Sequence, residues 1–157
     1  MPTGSALSGA TASLAAPDPS NATFRIGTES VTLVNGRAER ESAPGSAAKV
    51  VTMLTNARAS GDLDGDGRAD TIVVLSQQSG GSGTFYYVAA LLNGATGVTA
   101  LPGVLLGDRI VVNSARVDGG SVIVDLLDRA PGQPLTASPT VATVRRFGVD
   151  RGALISR

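Results

Sequence analysis

Residues 61–76, Gly-Asp-Leu-Asp-Gly-Asp-Gly-Arg-Ala-Asp-Thr-Ile-Val-Val-Leu-Ser, decide the fold class of this 157-residue chain. The second part, residues 71–76, is a short run rich in β-branched side chains, which is typical of a strand. The first part is an acidic loop that resembles the calcium loop of an EF-hand, and an EF-hand would require a helix after it. The stretch therefore predicts a β-protein in which an EF-hand-like loop joins two strands.

Period-two patterns and short β-branched runs, punctuated by Gly and Asn, continue on both sides of this stretch. They predict strands over residues 24–26, 31–34, 71–76, 84–93, 109–117, 121–127, 141–147 and 153–155. Residues 49–59 fit either a helix or a strand, and a strand is favoured for their second half because they lead into the acidic loop. Residues 39–48 and 130–139 are predicted loops.

Turn signals recur roughly every ten residues, and the strongest is Asn35-Gly36, because both positions tolerate positive φ. This spacing favours an all-β fold, or a β-rich α+β fold, built as an antiparallel sandwich or barrel. Tyr86 and Tyr87 are adjacent on a predicted strand, so one should face the core and the other the surface.

Residues 1–22 are rich in Gly, Ala, Ser, Thr and Pro and carry one charge, Asp18. They are predicted to form a tail or linker, and residues 23–157 to form a single β-rich domain. Alternatively, residues 10–15 form a strand that adds to a sheet edge of this chain or of a neighbouring copy. No signal sequence is recognised at the start of the chain, and no apolar run approaches the ~20 residues of a transmembrane span.

The composition excludes several classes of site. The chain has no His and no Cys, which excludes a Ser-His-Asp triad, a thiol nucleophile, a zinc knuckle and a disulfide. Lys and Arg number 13, as do Asp and Glu, so the formal net charge is zero and a nucleic-acid partner is disfavoured. Aromatic residues are 3% of the chain, too few for a base-stacking platform.

The acidic loop has the pattern Asp-x-Asp-Gly-Asp-Gly-x-x-Asp. Its carboxylates, Asp62, Asp64, Asp66 and Asp70, stand at positions one, three, five and nine, and a glycine stands sixth, where a calcium loop turns sharply. Arg68, at position seven, is expected to offer its backbone carbonyl while its side chain faces out. These hard oxygen donors favour Ca²⁺ over Mg²⁺, because Mg²⁺ prefers a strict octahedron and retains its water.

Position twelve is Val73 instead of the bidentate Glu of an EF-hand, so further ligands would come from water or from elsewhere in the chain. Asp108, Asp125 and Asp128 are the candidate outside carboxylates. The loop could also be an acidic turn without a metal, although carboxylates this close repel one another when no cation is present. An ion in the loop could be purely structural, or it could bridge a partner or assist catalysis.

Several segments together resemble a widespread family of small, uncharacterised bacterial exported proteins and lipoproteins that carry an Asp-x-Asp/Asn-Gly-Asp-Gly loop. The resemblance spans residues 22–149 and rests on residues 31–36, 61–70, 79–88, 105–110 and 128–132. It implies an export signal upstream of this sequence and a periplasmic, cell-surface or extracellular location. It brings no established activity.

The sequence thus favours a calcium-binding, non-enzymatic exported module of the cell envelope or surface, with no nucleic-acid partner and no transmembrane segment. A second hypothesis is a self-assembling extracellular fibre subunit that uses residues 1–22 as an added strand in a neighbour. A third is a small hydrolase that uses Asp125 or Asp128 as a catalytic carboxylate.

Overall fold

A computed structural model of the chain describes residues 15–81 and 83–157. Over these residues the protein is nearly all β, as the sequence predicts. One turn of 3₁₀ helix, Pro19–Asn21, precedes eleven strands. The strands are β1 Thr23–Ile26, β2 Glu29–Thr32, β3 Arg37–Glu41, β4 Lys49–Gly61, β5 Asp70–Gln78, β6 Phe85–Gly94, β7 Gly97–Asp108, β8 Val111–Asp118, β9 Ser121–Asp128, β10 Val141–Asp150 and β11 Ala153–Ser156.

Seven strands form one sheet in the order β2-β1-β7-β6-β5-β4-β3. Every pair in this sheet is antiparallel except β1 and β7, which run parallel over two residue pairs, so the sheet is mixed. It curls into a nearly closed barrel. The edge strands β2 and β3 line a cleft of about 290 Å³, and an ion pair between Arg40 and Glu29 links the two strands.

The inside of the barrel is apolar, and its buried side chains come mainly from β1, β2, β5 and β6. This barrel core consists of Phe24, Ile26, Val31, Leu33, Val73, Leu75, Ala89 and Leu91. Alternation along β5 and β6 places every second side chain in it.

The other four strands form a second, antiparallel sheet in the order β11-β10-β9-β8, which packs against the outside of the barrel. The inter-sheet core between them consists of Ala57, Leu63, Ile72, Val74, Val88, Ala90, Leu101, Leu106, Ile110, Val122, Val124, Leu126, Phe147 and Leu154. Strand β5 therefore has no solvent-facing side in its centre, which explains why residues 72–75 are uniformly apolar.

The structure resolves the ambiguous segment and adds two strands that the sequence analysis does not assign. Residues 49–61 are strand throughout, with a register shift between Leu54 and Arg58. Strand β3 occupies the start of the predicted 39–48 loop, because its polar residues pair with β4 and their side chains need no burial. Strand β7 was missed, since Pro102 and Gly103 interrupt its pattern at a bulge opposite β6.

Two local predictions have different outcomes. Asn35 and Gly36 have φ of 52° and 82° and form the tight turn that the sequence predicts. The expectation that one of the adjacent tyrosines faces the surface is wrong, because both faces of β6 are covered. Tyr86 packs against the inter-sheet core and Tyr87 against the barrel core.

The segment of residues 15–22, here called the strap, lies against the end of the barrel and precedes β1. Its carbonyls at Ser20 and Ala22 accept hydrogen bonds from the backbone N–H groups of Gly36 and Leu33. The added strand expected over residues 10–15 lies, except for Ala15, outside the described residues. Within residues 15–81 and 83–157, no helix is long and apolar enough to cross a membrane.

Candidate metal centre

The acidic loop connects β4 to β5 and leads from the barrel wall over the edge of the inter-sheet core. Gly65 and Gly67 have φ of 80° and 84°, a left-handed conformation that side-chain-bearing residues rarely adopt. These two turns curl the backbone, so that the alternate aspartates face the same side. Leu63, between the first two aspartates, is buried in the inter-sheet core and fixes the loop to the domain.

Asp70 is the rigid member of the loop. It begins β5 and is fully buried. Its Oδ2 accepts a hydrogen bond of 2.7 Å from the backbone N–H of Leu63, and its Oδ1 accepts one of 2.8 Å from the backbone N–H of Asn93. Two backbone donors thus hold this carboxylate in one orientation before any ligand arrives.

The other three carboxylates cap the turns of the loop itself. Asp62 accepts hydrogen bonds of 2.8 Å from the N–H groups of Gly65 and Gly67. Asp66 accepts one of 2.9 Å from the N–H of Arg68, and Asp64 a long one of 3.4 Å from the N–H of Asp66. Each carboxylate oxygen has two lone pairs, so these bonds leave acceptor capacity for a cation.

The local fields act on two of the carboxyls in opposite directions. The backbone N–H groups, that of Gly67 first and that of Gly65 next, lower the pKa of Asp62 below its ordinary value. Partial desolvation within the loop, followed by the negative charge of Asp70, raises the pKa of Asp64, although this residue is exposed. Crowding of negative charge at Asp64 is the condition that a bound cation would relieve.

The structure brings the four predicted carboxylates together. One oxygen from each of Asp62, Asp64, Asp66 and Asp70 lies within 4.8 Å of the others. A single cation placed among these oxygens could contact all of them, so the cluster could hold a metal ion. The identity of the ion does not follow from this geometry alone.

Arg68 differs from its prediction in one respect. Its side chain, expected to face out, is 26% exposed, and its Nη1 lies 4.0 Å from Oδ2 of Asp66. The guanidinium thus partly offsets the negative charge of the cluster. The role of its backbone carbonyl as a metal ligand remains a prediction.

The three outside carboxylates named from the sequence lie elsewhere. Asp108 pairs with Phe85 at the start of β6, whereas Asp70 contacts Asn93 near the end of that strand. Asp125 accepts hydrogen bonds from Ser114 and Arg116 on the second sheet. Asp128, at the end of β9, accepts one from the N–H of Arg129.

Asn93 is the neighbour of the cluster that sequence analysis missed. It lies 23 residues after Asp70 and carries no motif, and it reaches the carboxylate because β5 and β6 pair with Thr71 opposite Leu91. Its side-chain amide also donates a hydrogen bond of 3.0 Å to the carbonyl of Ala15 in the strap. Only the register of the sheet could have indicated this contact.

The fold and the cluster together define an all-β protein with a candidate metal centre. Comparison of the chain with protein-family models, with curated proteins and with solved structures found no match. The resemblance described from the sequence therefore remains a prediction.

Proposed function

We propose that this protein is a calcium-binding, non-enzymatic exported module of the cell envelope or surface, stabilised by Ca²⁺ in the acidic loop. The observation that carries the proposal is the convergence of Asp62, Asp64, Asp66 and Asp70 within 4.8 Å. No other group of three or more His, Cys, Asp or Glu with this potential is found in the described part of the chain.

The chemistry of the donors supports Ca²⁺ over Mg²⁺. The cluster offers hard carboxylate oxygens on a curled loop, and Ca²⁺ accepts ~6–8 oxygens in flexible geometry. Mg²⁺ demands a near-ideal octahedron and retains several of its waters, so it is less suited to a site built from protein oxygens.

Charge supports a divalent ion and a structural role. One oxygen from each of the four carboxylates lies within 4.8 Å of the others, and a single cationic side chain in the described residues, that of Arg68, is paired with a member of the cluster, at 4.0 Å from Asp66. An ion that binds only the folded state, present at ~100 times its Kd, adds about 2.7 kcal/mol to the free energy of unfolding. That is a substantial fraction of the stability of a small domain.

The remaining parts of the proposal rest on the sequence. The absence of His and Cys removes the commonest catalytic bases and nucleophiles, which favours a non-enzymatic role. Export and an envelope location rest on the family resemblance, and calcium is abundant enough outside cells for weak sites to be filled, as in extracellular modules.

The test is a titration of chelator-stripped protein with CaCl₂, followed by calorimetry and by thermal unfolding. We expect saturable binding of one ion per chain, a rise in Tm and a smaller response to MgCl₂. A Tm that does not change up to millimolar Ca²⁺, together with no binding heat, would rule the proposal out.

A matched pair of variants locates the ion. Asp66→Asn removes one of the four carboxylates and should weaken Ca²⁺ binding roughly ten-fold or more, because the charge of the ligands tunes affinity. Asp118→Asn is the control, since Asp118 lies at the neighbouring β8–β9 turn but outside the cluster. Equal losses in both variants would show that general negative charge, and not the loop, attracts the ion.

A further inference from the structure

The strap is anchored by the two residues that adjoin Asp70. The hydroxyl of Thr71, the next residue in β5, donates a hydrogen bond of 2.6 Å to the carbonyl of Pro17. Asn93, whose backbone N–H holds Asp70, donates through its side chain to the carbonyl of Ala15. Asn93 therefore holds both the Asp70 carboxylate and residue 15 of the strap, and Thr71 links residue 17 to the position next to Asp70.

The other end of the strap is anchored independently of the loop. Ser20, Asn21 and Ala22 accept hydrogen bonds from the backbone of residues 33–36, which form the tight turn before β3. A change at the acidic loop would thus reach residues 15–17 first, and the rest of the strap would remain attached to the barrel.

The strap buries little of its surface, since none of residues 15–22 is fully buried. No residue of its 3₁₀ turn is buried. An open cleft of about 270 Å³ is lined by Ala16, Pro17 and Pro19 of the strap together with residues of β4 and Thr71, and a groove of about 780 Å³ lies along the side that faces β1 and β7. Segments with little buried apolar surface open at low free-energy cost. The hydrogen bonds at Thr71 and Asn93 therefore contribute directly to holding residues 15–17 against β5 and β6.

We propose that the strap and the acidic loop are conformationally coupled through Asp70, Thr71 and Asn93, so that the state of the loop sets how firmly residues 15–17 are held. Both anchors adjoin the Asp70 carboxylate, because Thr71 follows it in β5 and the backbone N–H of Asn93 donates to it. The calcium-dependent part of this inference rests on the proposed function: a cation joins the other carboxylates of the loop to the already fixed Asp70, which holds the loop and tightens the strap, and its removal loosens the strap.

Such coupling is reciprocal. If Ca²⁺ favours the docked strap by some factor, then docking of the strap raises the affinity for Ca²⁺ by the same factor. Thr71→Val removes the hydroxyl that holds Pro17 while conserving the shape of the side chain. It should therefore weaken Ca²⁺ binding even though Thr71 is outside the four-carboxylate cluster.

The coupling can be measured with a single introduced thiol, because the full chain has no Cys. Ala16→Cys places the thiol in the strap, and Val144→Cys places one on an exposed position of the second sheet that serves as the reference. We expect Ca²⁺ to slow labelling of Cys at position 16 by about five-fold or more, the lower end of usual coupling strengths, without changing labelling at position 144.

Two further variants in the Ala16→Cys background decide among the outcomes. Thr71→Val should speed labelling, whereas Thr143→Val, which removes a hydroxyl–carbonyl bond on exposed β10, should not. If Ca²⁺ binds by calorimetry but labelling at position 16 does not respond, the coupling is wrong and the proposed function stands. If Ca²⁺ does not bind, the proposed function fails. Asp70→Asn in the Ala16→Cys background then tests the coupling alone, and unchanged labelling at position 16 would refute it.

Discussion

Asp62 and Asp64 are two residues apart but lie in opposite electrostatic surroundings. Backbone N–H groups of Gly67 and Gly65 lower the pKa of Asp62, whereas partial desolvation and the charge of Asp70 raise that of Asp64. A carboxyl with a lowered folded-state pKa stabilises the folded chain above its unfolded-state pKa, and this stability is lost as pH falls through the folded value. A raised pKa has the reverse effect, because ionisation then disfavours the folded state.

In chelator at pH 7, we therefore expect Asp62→Asn to lower Tm and Asp64→Asn to raise it, although both changes remove one negative charge. The rise in Tm caused by Asp64→Asn should disappear as pH falls through the raised pKa of Asp64. The fall in Tm caused by Asp62→Asn should disappear at lower pH, where Asp62 itself becomes protonated. Thermal unfolding by circular dichroism across pH checks both signs; shifts of the same sign for the two variants would contradict the assignment.

The spacing of the four aspartates made the cluster predictable, because alternate positions in a curled loop face one way. The burial of Asp70 was not predictable from the loop. It depends on Leu63 and on Asn93, and the second of these arrives through strand pairing across 23 residues. Asp108, Asp125 and Asp128 are candidate ligands by residue type alone, and residue type does not show which strand ends meet at the acidic loop.

At the scale of elements, one arginine joins two connections at the end of the molecule away from the acidic loop. The guanidinium of Arg129 donates hydrogen bonds of 3.2, 2.9 and 2.7 Å to the carbonyls of Asp108, Arg109 and Ala137. It thereby ties the β7–β8 turn to the loop between β9 and β10. Arg109 has φ of 54°, so this turn is held in a conformation that is uncommon for a side-chain-bearing residue.

Arg129→Lys keeps the charge but cannot reach three carbonyls, since an ammonium lacks the planar fork of a guanidinium. We expect it to lower the free energy of unfolding by about 2 kcal/mol or more, because it leaves half-buried carbonyls with weaker donors. Arg146→Lys, at an exposed position of β10, is the control and should change it by less than about 0.5 kcal/mol. Urea denaturation of both variants measures the difference, and equal stability would show that the junction is dispensable.

The hydrophobic pattern and the turn residues predicted most strands, because the central residues of these strands either alternate between apolar and polar or form a β-branched run. They failed for β7, where Pro102 and Gly103 lie in a bulge that pairs with β1. They also failed for β3, which is held by ladder hydrogen bonds and has no apolar face to reveal it. Neither sheet order nor the parallel β1–β7 contact follows from local sequence, since both depend on which distant edges meet.

At the scale of the whole molecule, the two cores share a wall. Strands β5 and β6 send alternate side chains into the barrel core and the inter-sheet core. Disruption of either core removes support from the same strands. We therefore expect the barrel and the second sheet to unfold as one cooperative unit.

The two tyrosines allow this to be measured, because the chain has no Trp and each tyrosine contacts a different core. Tyr87→Phe leaves Tyr86 as the reporter of the inter-sheet core, and Tyr86→Phe leaves Tyr87 as the reporter of the barrel core. In urea, the fluorescence transition of each variant should coincide with its own far-ultraviolet circular dichroism transition. A fluorescence midpoint that departs from the backbone signal in either variant would indicate that the layers unfold separately.

The sharing of β5 also limits how the gene could be shortened. A chain truncated after β7 would retain every strand of the barrel, but the outward side chains Ile72, Val74, Val88 and Ala90 would face water. An exposed, contiguous apolar surface of that kind favours aggregation. The four-stranded sheet is thus needed to cover the barrel. We expect neither β1–β7 nor β8–β11 to be soluble when produced alone.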